Sequence, residues 1–255
     1  MCFESVKMKK IDGIEYHDIN EIAEIFHDGM SIDEIRRYFE FNIIKGKKID
    51  NEWYSDEKGI KNFIDYLREE RAFTIGPLDI EISKVTMEGR ILDIGGGGEG
   101  VIGQLKGKQV VSIDYSKDEL EEAPESGGLK IVMDANDLKF LDDTFDTVTA
   151  FYSIMYIPLK NHKKVLQEIY RVLKPRGEFL LWDLTIPEKT IKEKNIILVI
   201  LKVKLKDKVV ETGYGVKWDK MQDANYFINL GKVVGFEVLE QQVERNIFYL
   251  RFTKK

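Results

Sequence analysis

Cysteine is almost absent from this 255-residue sequence: Cys2 stands alone, so no internal disulfide can form. Histidine is nearly as rare. His17, His27 and His162 are scattered and, with a single thiol, make no zinc cluster of recognisable spacing. Long apolar runs are missing too. The longest, residues 196–201, covers 6 positions, against the ~20 that a membrane-spanning helix needs. The opening MCFESVKMKK has no apolar signal core and no glycine at position 2, so neither secretion nor myristoylation is expected. The expectation is a reduced, cytoplasmic, metal-free protein. Arginine is sparse, 9 of 39 basic residues, and the net charge is −6. That balance argues against strong nucleic-acid binding, because phosphate neutralisation supplies most of the affinity.

What is present is ordinary for a globular chain. Hydrophobic residues make up 43% and charged residues 33%, which excludes wholesale disorder. The texture changes near residue 75, predicting one domain over 1–75 and a larger one over 76–255. The first carries 12 Lys+Arg against 17 Asp+Glu. Within it, Asp18 and Glu21 read as a capping box before a helix whose apolar face is Ile19, Ile22, Ile25 and Phe26. A turn over residues 27–30 leads to a second cap pair, Ser31 and Glu34, with Ile32, Ile35, Tyr38 and Phe39 facing inward. A lysine-bearing hairpin over 43–54 follows, then a helix over 56–67 burying Ile60, Phe63, Ile64 and Leu67.

The stretches DINEIAEIF, SIDEIRRYF and IIKGKKIDNEWYSDEKGIKNFIDYL resemble the excisionase and MerR-like winged helices, over roughly residues 11–70. The resemblance implies a second helix and a wing that touch DNA. Arg36, Arg37, Lys45, Lys47 and Lys48 would be the contacts, with Asp33, Glu34 and Glu40 opposing them. The charge favours the other outcome, a cap or dimerisation module that keeps the fold without the DNA.

From Arg90 the pattern alternates. Strands are expected at 91–94, 110–114, 131–134, 145–151 and 178–183, with a short helix around Val101, Ile102 and Leu105 and a longer one over 160–173. Such alternation argues for a parallel, doubly wound α/β sheet with its site at the strand C-termini. Residues 95–100 read GGGGEG, and glycines there let a ligand approach the backbone and the next helix. Gly95, Gly97 and Gly100 also satisfy a dinucleotide fingerprint. Asp93 separates the two readings: a carboxylate there repels a pyrophosphate and suits a cationic ligand.

LDIGGGGEG, IDYS, MDANDL, FDTV and RVLKPRG, in this order, resemble the class I methyltransferases that use S-adenosylmethionine (SAM), over residues 88–183 and more loosely to 255. EIYRVLKPRGEFLL is the most specific piece. The resemblance implies a Rossmann-like seven-stranded methyltransferase sheet behind a small winged-helix-like α+β domain. It further implies that Gly95, Gly96 and Gly97 form the loop under methionine and ribose, with Asp93 anchoring ligand and loop. Asp114 would accept from both ribose hydroxyls, and Tyr115 would line the adenine face. Asp134 and the Ala135 backbone would take the adenine edge, and Phe151 would face the methionine part. The family's third glycine position holds Glu99 here, between Gly98 and Gly100.

Catalytic residues are not assigned, because displacement at a sulfonium needs alignment more than a base. Tyr152, Tyr156 and Asp183 are expected at strand ends near the substrate, where packing and capping explain them, and His162 on an exposed helix in solvent. Over 195–217, Leu201, Val203 and Leu205 alternate with Lys202, Lys204 and Lys206, and Val210, Thr212, Tyr214 and Val216 return. This reads as an antiparallel hairpin whose apolar face lies over the acceptor opening or against a second subunit in a homodimer. Three functions compete: methyl transfer to a small-molecule acceptor, a DNA-binding regulator that senses SAM without catalysis, and a Rossmann oxidoreductase.

Overall fold

The computed structural model describes residues 9–11, 13–25 and 30–255, apart from the side chains of Glu34, Arg68, Glu69 and Glu70. The expected Phe26 contact, the turn at 27–29, Cys2 and the Glu34 half of the second cap pair lie outside the described residues. The chain divides into two compact units, residues 1–72 and 73–255.

The first unit holds strands β1 (Lys9–Ile11) and β2 (Ile14–Asp18), helices α1 (Ile19–Ile25) and α2 (Ile32–Glu40), strands β3 (Lys47–Ile49) and β4 (Glu52–Asp56), and helix α3 (Glu57–Arg71). The capping box forms as read. Asp18 Oδ1 accepts from the Asn20 and Glu21 amides at 2.8 and 3.0 Å, and Glu21 Oε2 accepts from the Asp18 amide at 3.0 Å. Asp56 caps α3 by accepting from the Gly59 amide at 2.7 Å. Asp50 and Asn51 both adopt positive φ, 50° and 72°, which closes the β3–β4 hairpin with the local twist such turns require. One element was not anticipated and one expectation fails. The β1–β2 ribbon extends the sheet to the antiparallel order β1-β2-β4-β3, unseen in the sequence because these strands are short and largely exposed. Ile25 and Ile32, read as inward, are exposed.

The second unit is built on β6 (Ile91–Ile94), α4 (Val101–Lys106), β7 (Val110–Asp114), α5 (Lys117–Glu122), β8 (Leu129–Val132), β9 (Phe145–Phe151), α6 (Leu159–Val172), β10 (Leu173–Leu184), α7 (Ala224–Val234), β13 (Phe236–Glu244) and β14 (Ile247–Lys254). These strands make a seven-stranded sheet in the order β13-β14-β10-β9-β6-β7-β8, with β14 antiparallel to both neighbours and the β10-β9-β6-β7-β8 ladder parallel. This is a mostly parallel, doubly wound α/β sheet, as the alternating pattern predicts. Successive residues alternate between two cores, as period-two geometry requires. Leu92, Ile94, Phe179 and Leu181 face α6 and α7, while Ile91, Leu180 and Trp182 face the opposite core.

That opposite core is covered by α4 and by a second sheet, in the order β12-β11-β5, of β5 (Ala72–Glu81), β11 (Ile196–Lys204) and β12 (Val209–Lys217). The hairpin forms with Leu201 opposite Thr212. Leu201, Val203 and Leu205 are buried in the core beside Val199 and Trp218. Pairing with β5, which the sequence reading missed, is what turns a marginal ribbon into a stable layer.

The specific motif after α6 is a brace. Arg171 donates to the Leu138 and Phe140 carbonyls, to Asp142 Oδ1 and to Glu168 Oε2, each at 2.8 Å. Glu168 Oε2 also accepts from the Leu138 amide at 3.0 Å. The guanidinium holds the Glu168 carboxyl down at about 2. Arg171 and Glu168 therefore tie the loop before β9 to α6, which fixes where the chain enters β9. His162 corrects its expectation outright. It is fully buried in α6, with Nε2 2.8 Å from the Ile157 carbonyl and Nδ1 3.2 Å from the Tyr226 hydroxyl.

Candidate active site

At the C-terminal edge of β6, β7, β8 and β9 lies a cavity of about 690 Å³, of the size ligand pockets commonly have. All nine positions read from the sequence line it: Asp93, Gly95, Gly96, Gly97, Asp114, Tyr115, Asp134, Ala135 and Phe151. The loop between β6 and α4 is pinned to β7, since the Gly95 and Gly96 amides donate to the Ile113 carbonyl at 2.8 and 3.0 Å. Gly95 has φ +70°, and a Cβ there would stand 2.4 Å from Ser153 Cβ. A Cβ on Gly97 would meet Glu119 Cβ at 2.5 Å and Asp114 Oδ2 at 3.0 Å. Any side chain at these two positions would displace the loop from the strand ends.

Asp93 is 2% exposed, and Thr149 Oγ1 donates to its Oδ1 at 2.7 Å. Burial pushes the Asp93 carboxyl up to about 7, Thr149 pulls it back, and nearby Asp114 pushes it further up. Asp114 uses Oδ1 to accept from the Ser116 amide at 2.9 Å. One oxygen thus shapes the turn into α5. Asp134 lies two residues past the end of β8, not on the strand as expected. Its Oδ1 accepts from the Asn136 amide and side chain at 2.8 and 2.9 Å, a turn that draws the chain out of the sheet. Tyr115 is 83% exposed at the cavity rim.

The other end of the cavity is aromatic. Phe151 ends β9, and Tyr152 follows with φ +51°, an uncommon setting for a bulky residue. The Tyr152 amide donates to the Trp182 carbonyl at 2.9 Å, and Ser153 Oγ donates to the Ile94 carbonyl at 2.6 Å. Both bonds hold the left-handed turn in place. Tyr214, from β12, stacks on Tyr152 with centroids 5.4 Å apart and planes 2° from parallel. Tyr156 and Pro158 complete this wall. Burial, then the Glu99 carboxylate, raises the Tyr214 phenol; burial, then Asp183, Glu119 and Glu99, raises the Tyr156 phenol. Both stay protonated near neutral pH.

Charge in the cavity has one sign. Asp93, Glu99, Asp114, Glu119, Glu122 and Asp134 line it, with no lysine, arginine or histidine. A ligand with net positive charge fits this lining, and a pyrophosphate does not. The sequence reading missed Glu119, Glu122, Gly213 and Ser153, and treated Tyr152, Tyr156 and Tyr214 as packing or strand residues. Glu119 had a signal, because Ser116 caps α5 by accepting from the Glu119 amide at 3.3 Å. Gly213 and Tyr214 had none, because only the fold of the hairpin brings them here. Asp183 sits just outside, fully buried and pushed up by burial to about 7. Its Oδ1 accepts from the Leu184 amide at 2.7 Å and from Gln222 Nε2 at 3.2 Å.

Sheet order, glycine loop and acidic cavity together define a doubly wound α/β domain with a ligand site at the strand C-termini. Residues 92–181 match the family model described as "Methyltransferase domain". The chain is 31% identical over 157 residues to the phosphoethanolamine N-methyltransferase of Plasmodium falciparum, covering 55% of this chain and 57% of that protein. It is 42% identical over 87 residues to the ubiquinone/menaquinone biosynthesis C-methyltransferase UbiE of Desulfotalea psychrophila, covering 32% of this chain and 35% of that one. The chain thus spans between about a third and somewhat over half of these relatives. The crystal structure of the PH0226 protein from Pyrococcus horikoshii shares the fold, with TM-score 0.51 and 20% identity over 86% of this chain and 99% of that one.

Proposed function

We propose that the protein transfers a methyl group from SAM to a small-molecule acceptor. One observation carries this reading: Asp93, Asp114 and Asp134, with the glycine loop, converge on one cavity at the ends of three successive parallel strands. Bound SAM would supply an electrophilic methyl on a sulfonium. Asp114 Oδ2 would accept from the ribose hydroxyls, and Asp134 with the Ala135 backbone would meet the adenine edge. Asp93 would hold the loop and the cationic part of the ligand. The stacked Tyr152 and Tyr214, with Phe151, would exclude water from the reacting end and orient the acceptor, so that alignment and desolvation supply the rate. No base is assigned. In this reading residues 1–72 form a winged-helix-like domain, the domain from 73 onward does the chemistry, and the protein works in the cytoplasm.

Titration calorimetry with S-adenosylhomocysteine tests the reading. Binding in the micromolar range, with NAD failing to bind at the same concentrations, supports it. Binding of NAD with no response to S-adenosylhomocysteine sinks it.

A further inference from the structure

Glu99 stands between Gly98 and Gly100 in the loop and is tied to the next helix through its backbone alone. Its backbone carbonyl accepts from Gln104 Nε2. Among the described residues, its carboxylate has neither a hydrogen-bond nor an ion-pair partner. It lines the same cavity as Tyr152, Tyr156 and Tyr214, and its charge raises the Tyr156 and Tyr214 phenols. These two rings and Tyr152 form the aromatic wall of the cavity. A half-buried, unpaired carboxylate in a cavity also lined by three tyrosine rings attracts an organic cation, by direct charge and by the negative faces of the rings.

We propose that the acceptor is an amine, seated against Tyr152, Tyr156 and Tyr214 with Glu99 as its counter-charge. The inference rests on the SAM reading of the same cavity. The neutral amine nitrogen gives its lone pair to form the N–CH₃ bond as the C–S bond breaks, and that bonding pair stays on sulfur. Sulfur ends as a neutral thioether and nitrogen as an ammonium, which then releases a proton to water. Positive charge therefore moves from sulfur to nitrogen without leaving the cavity, so its carboxylates stabilise the complex before and after transfer. A phenolate or enolate nucleophile is an anion and meets Glu99, Glu119 and Glu122 in addition to the aspartates assigned to SAM, with no basic side chain among the described residues lining the cavity. The same lining disfavours an acceptor carrying a phosphate or carboxylate.

The probe is benzyltrimethylammonium, compared with benzyl alcohol and benzoate, titrated into the full chain saturated with S-adenosylhomocysteine. The cation should bind at least tenfold more tightly than either comparison compound. Glu99→Gln and Tyr214→Leu should each reduce that preference fivefold or more, while the affinity for S-adenosylhomocysteine changes less than threefold. Equal binding of the three probes, or a preference that survives Glu99→Gln, overturns the amine assignment and leaves the SAM reading standing. Failure of S-adenosylhomocysteine to bind the unmodified chain overturns both.

Discussion

Thr149 donates its hydroxyl to Asp93 at 2.7 Å across two neighbouring parallel strands, where the two residues are direct register partners. The bond holds a fully buried carboxylate at the base of the glycine loop. Burial still dominates, and the carboxyl sits at about 7. A folded-state value above the unfolded one means that the folded protein keeps this proton longer as pH rises. Asp93 therefore contributes most to stability at the acid end of the window between roughly pH 4 and 7, and that contribution is lost as pH climbs through it.

Asp93→Asn keeps an acceptor for Thr149 and removes the ionisation. At pH 8 the variant should be more stable than the parent by about 2–4 kcal/mol, and at pH 5 by much less. Its affinity for SAM should fall at least tenfold. Urea melts at the two pH values and one calorimetric titration check this. A variant less stable than the parent at pH 8 would show that Asp93 is not buried as a charge.

Asp114→Ala removes the acceptor for ribose and also the turn bond to the Ser116 amide. Contacts to a charged group contribute about 1.5–3 kcal/mol, so affinity for S-adenosylhomocysteine should drop roughly ten- to hundredfold. Loss of the turn bond should lower the melting temperature by only ~2–4 °C. Unchanged affinity removes Asp114 from the ribose site.

The two strand ends, the glycine loop and the three aspartates were legible because each depends on local rules: period-two patterning, a turn that needs glycine, a carboxylate at a strand end. What was not legible depends on partners distant in sequence. β5 reads poorly as a strand because Gly76 and Pro77 interrupt it, and only pairing with β11 makes it one. Tyr214 reads as one residue of a returning strand. It becomes a cavity wall because the β12-β11-β5 sheet folds over the end of β9, which places the ring on Tyr152. His162 looked solvated because its neighbours Lys160, Lys163 and Lys164 are polar. Packing of α7 against α6 buries it on Phe227.

The apolar row of the hairpin is core, so its two faces should respond oppositely. Leu201→Ala, at a fully buried position, should cost about 2–5 kcal/mol. Lys202→Ala, on the exposed face beside Glu211, should stay within ~0.5 kcal/mol of the parent. Denaturant midpoints decide it. Similar small effects at both positions would mean that the hairpin is not part of the folded core.

The first unit should not hold DNA tightly. Arg36 pairs with Asp33 at 2.6 Å, and the Lys47 and Lys48 ammonium groups lie over the Tyr16 and Trp53 rings, 5.1 and 5.7 Å from their centroids. Three of the five basic residues that a winged helix would aim at phosphates are thus engaged within the unit. In mobility-shift assays at physiological salt, specific binders reach ~10⁻⁸–10⁻¹¹ M. The full chain should show only weak, salt-sensitive retardation. A sequence-selective shift below micromolar concentration would reverse this reading and favour the regulator.

His162 opposes the buried carboxylates in pH dependence. Burial pushes its imidazole down to about 4, outweighing the bond to the Ile157 carbonyl, and the Lys220 ammonium pushes the same way. Lys220 itself donates to that carbonyl at 2.7 Å, so a protonated imidazole would face a cation across a shared acceptor. Here the folded-state value lies below the unfolded one. The histidine-linked stability is complete above about pH 6.5 and drains away as pH falls toward 4, because the unfolded chain takes the proton first. The full swing is about 3 kcal/mol. His162→Phe keeps the ring stack on Phe227, loses the two polar contacts and has nothing to titrate. It should be less stable than the parent at pH 8, and the gap should narrow or close at pH 4.5. Chemical melts at four pH values across this range measure it. A gap that widens toward acid would mean that His162 is charged in the folded protein, and that the polar contact between α6 and α7 is an ion-dipole bond instead of a neutral one.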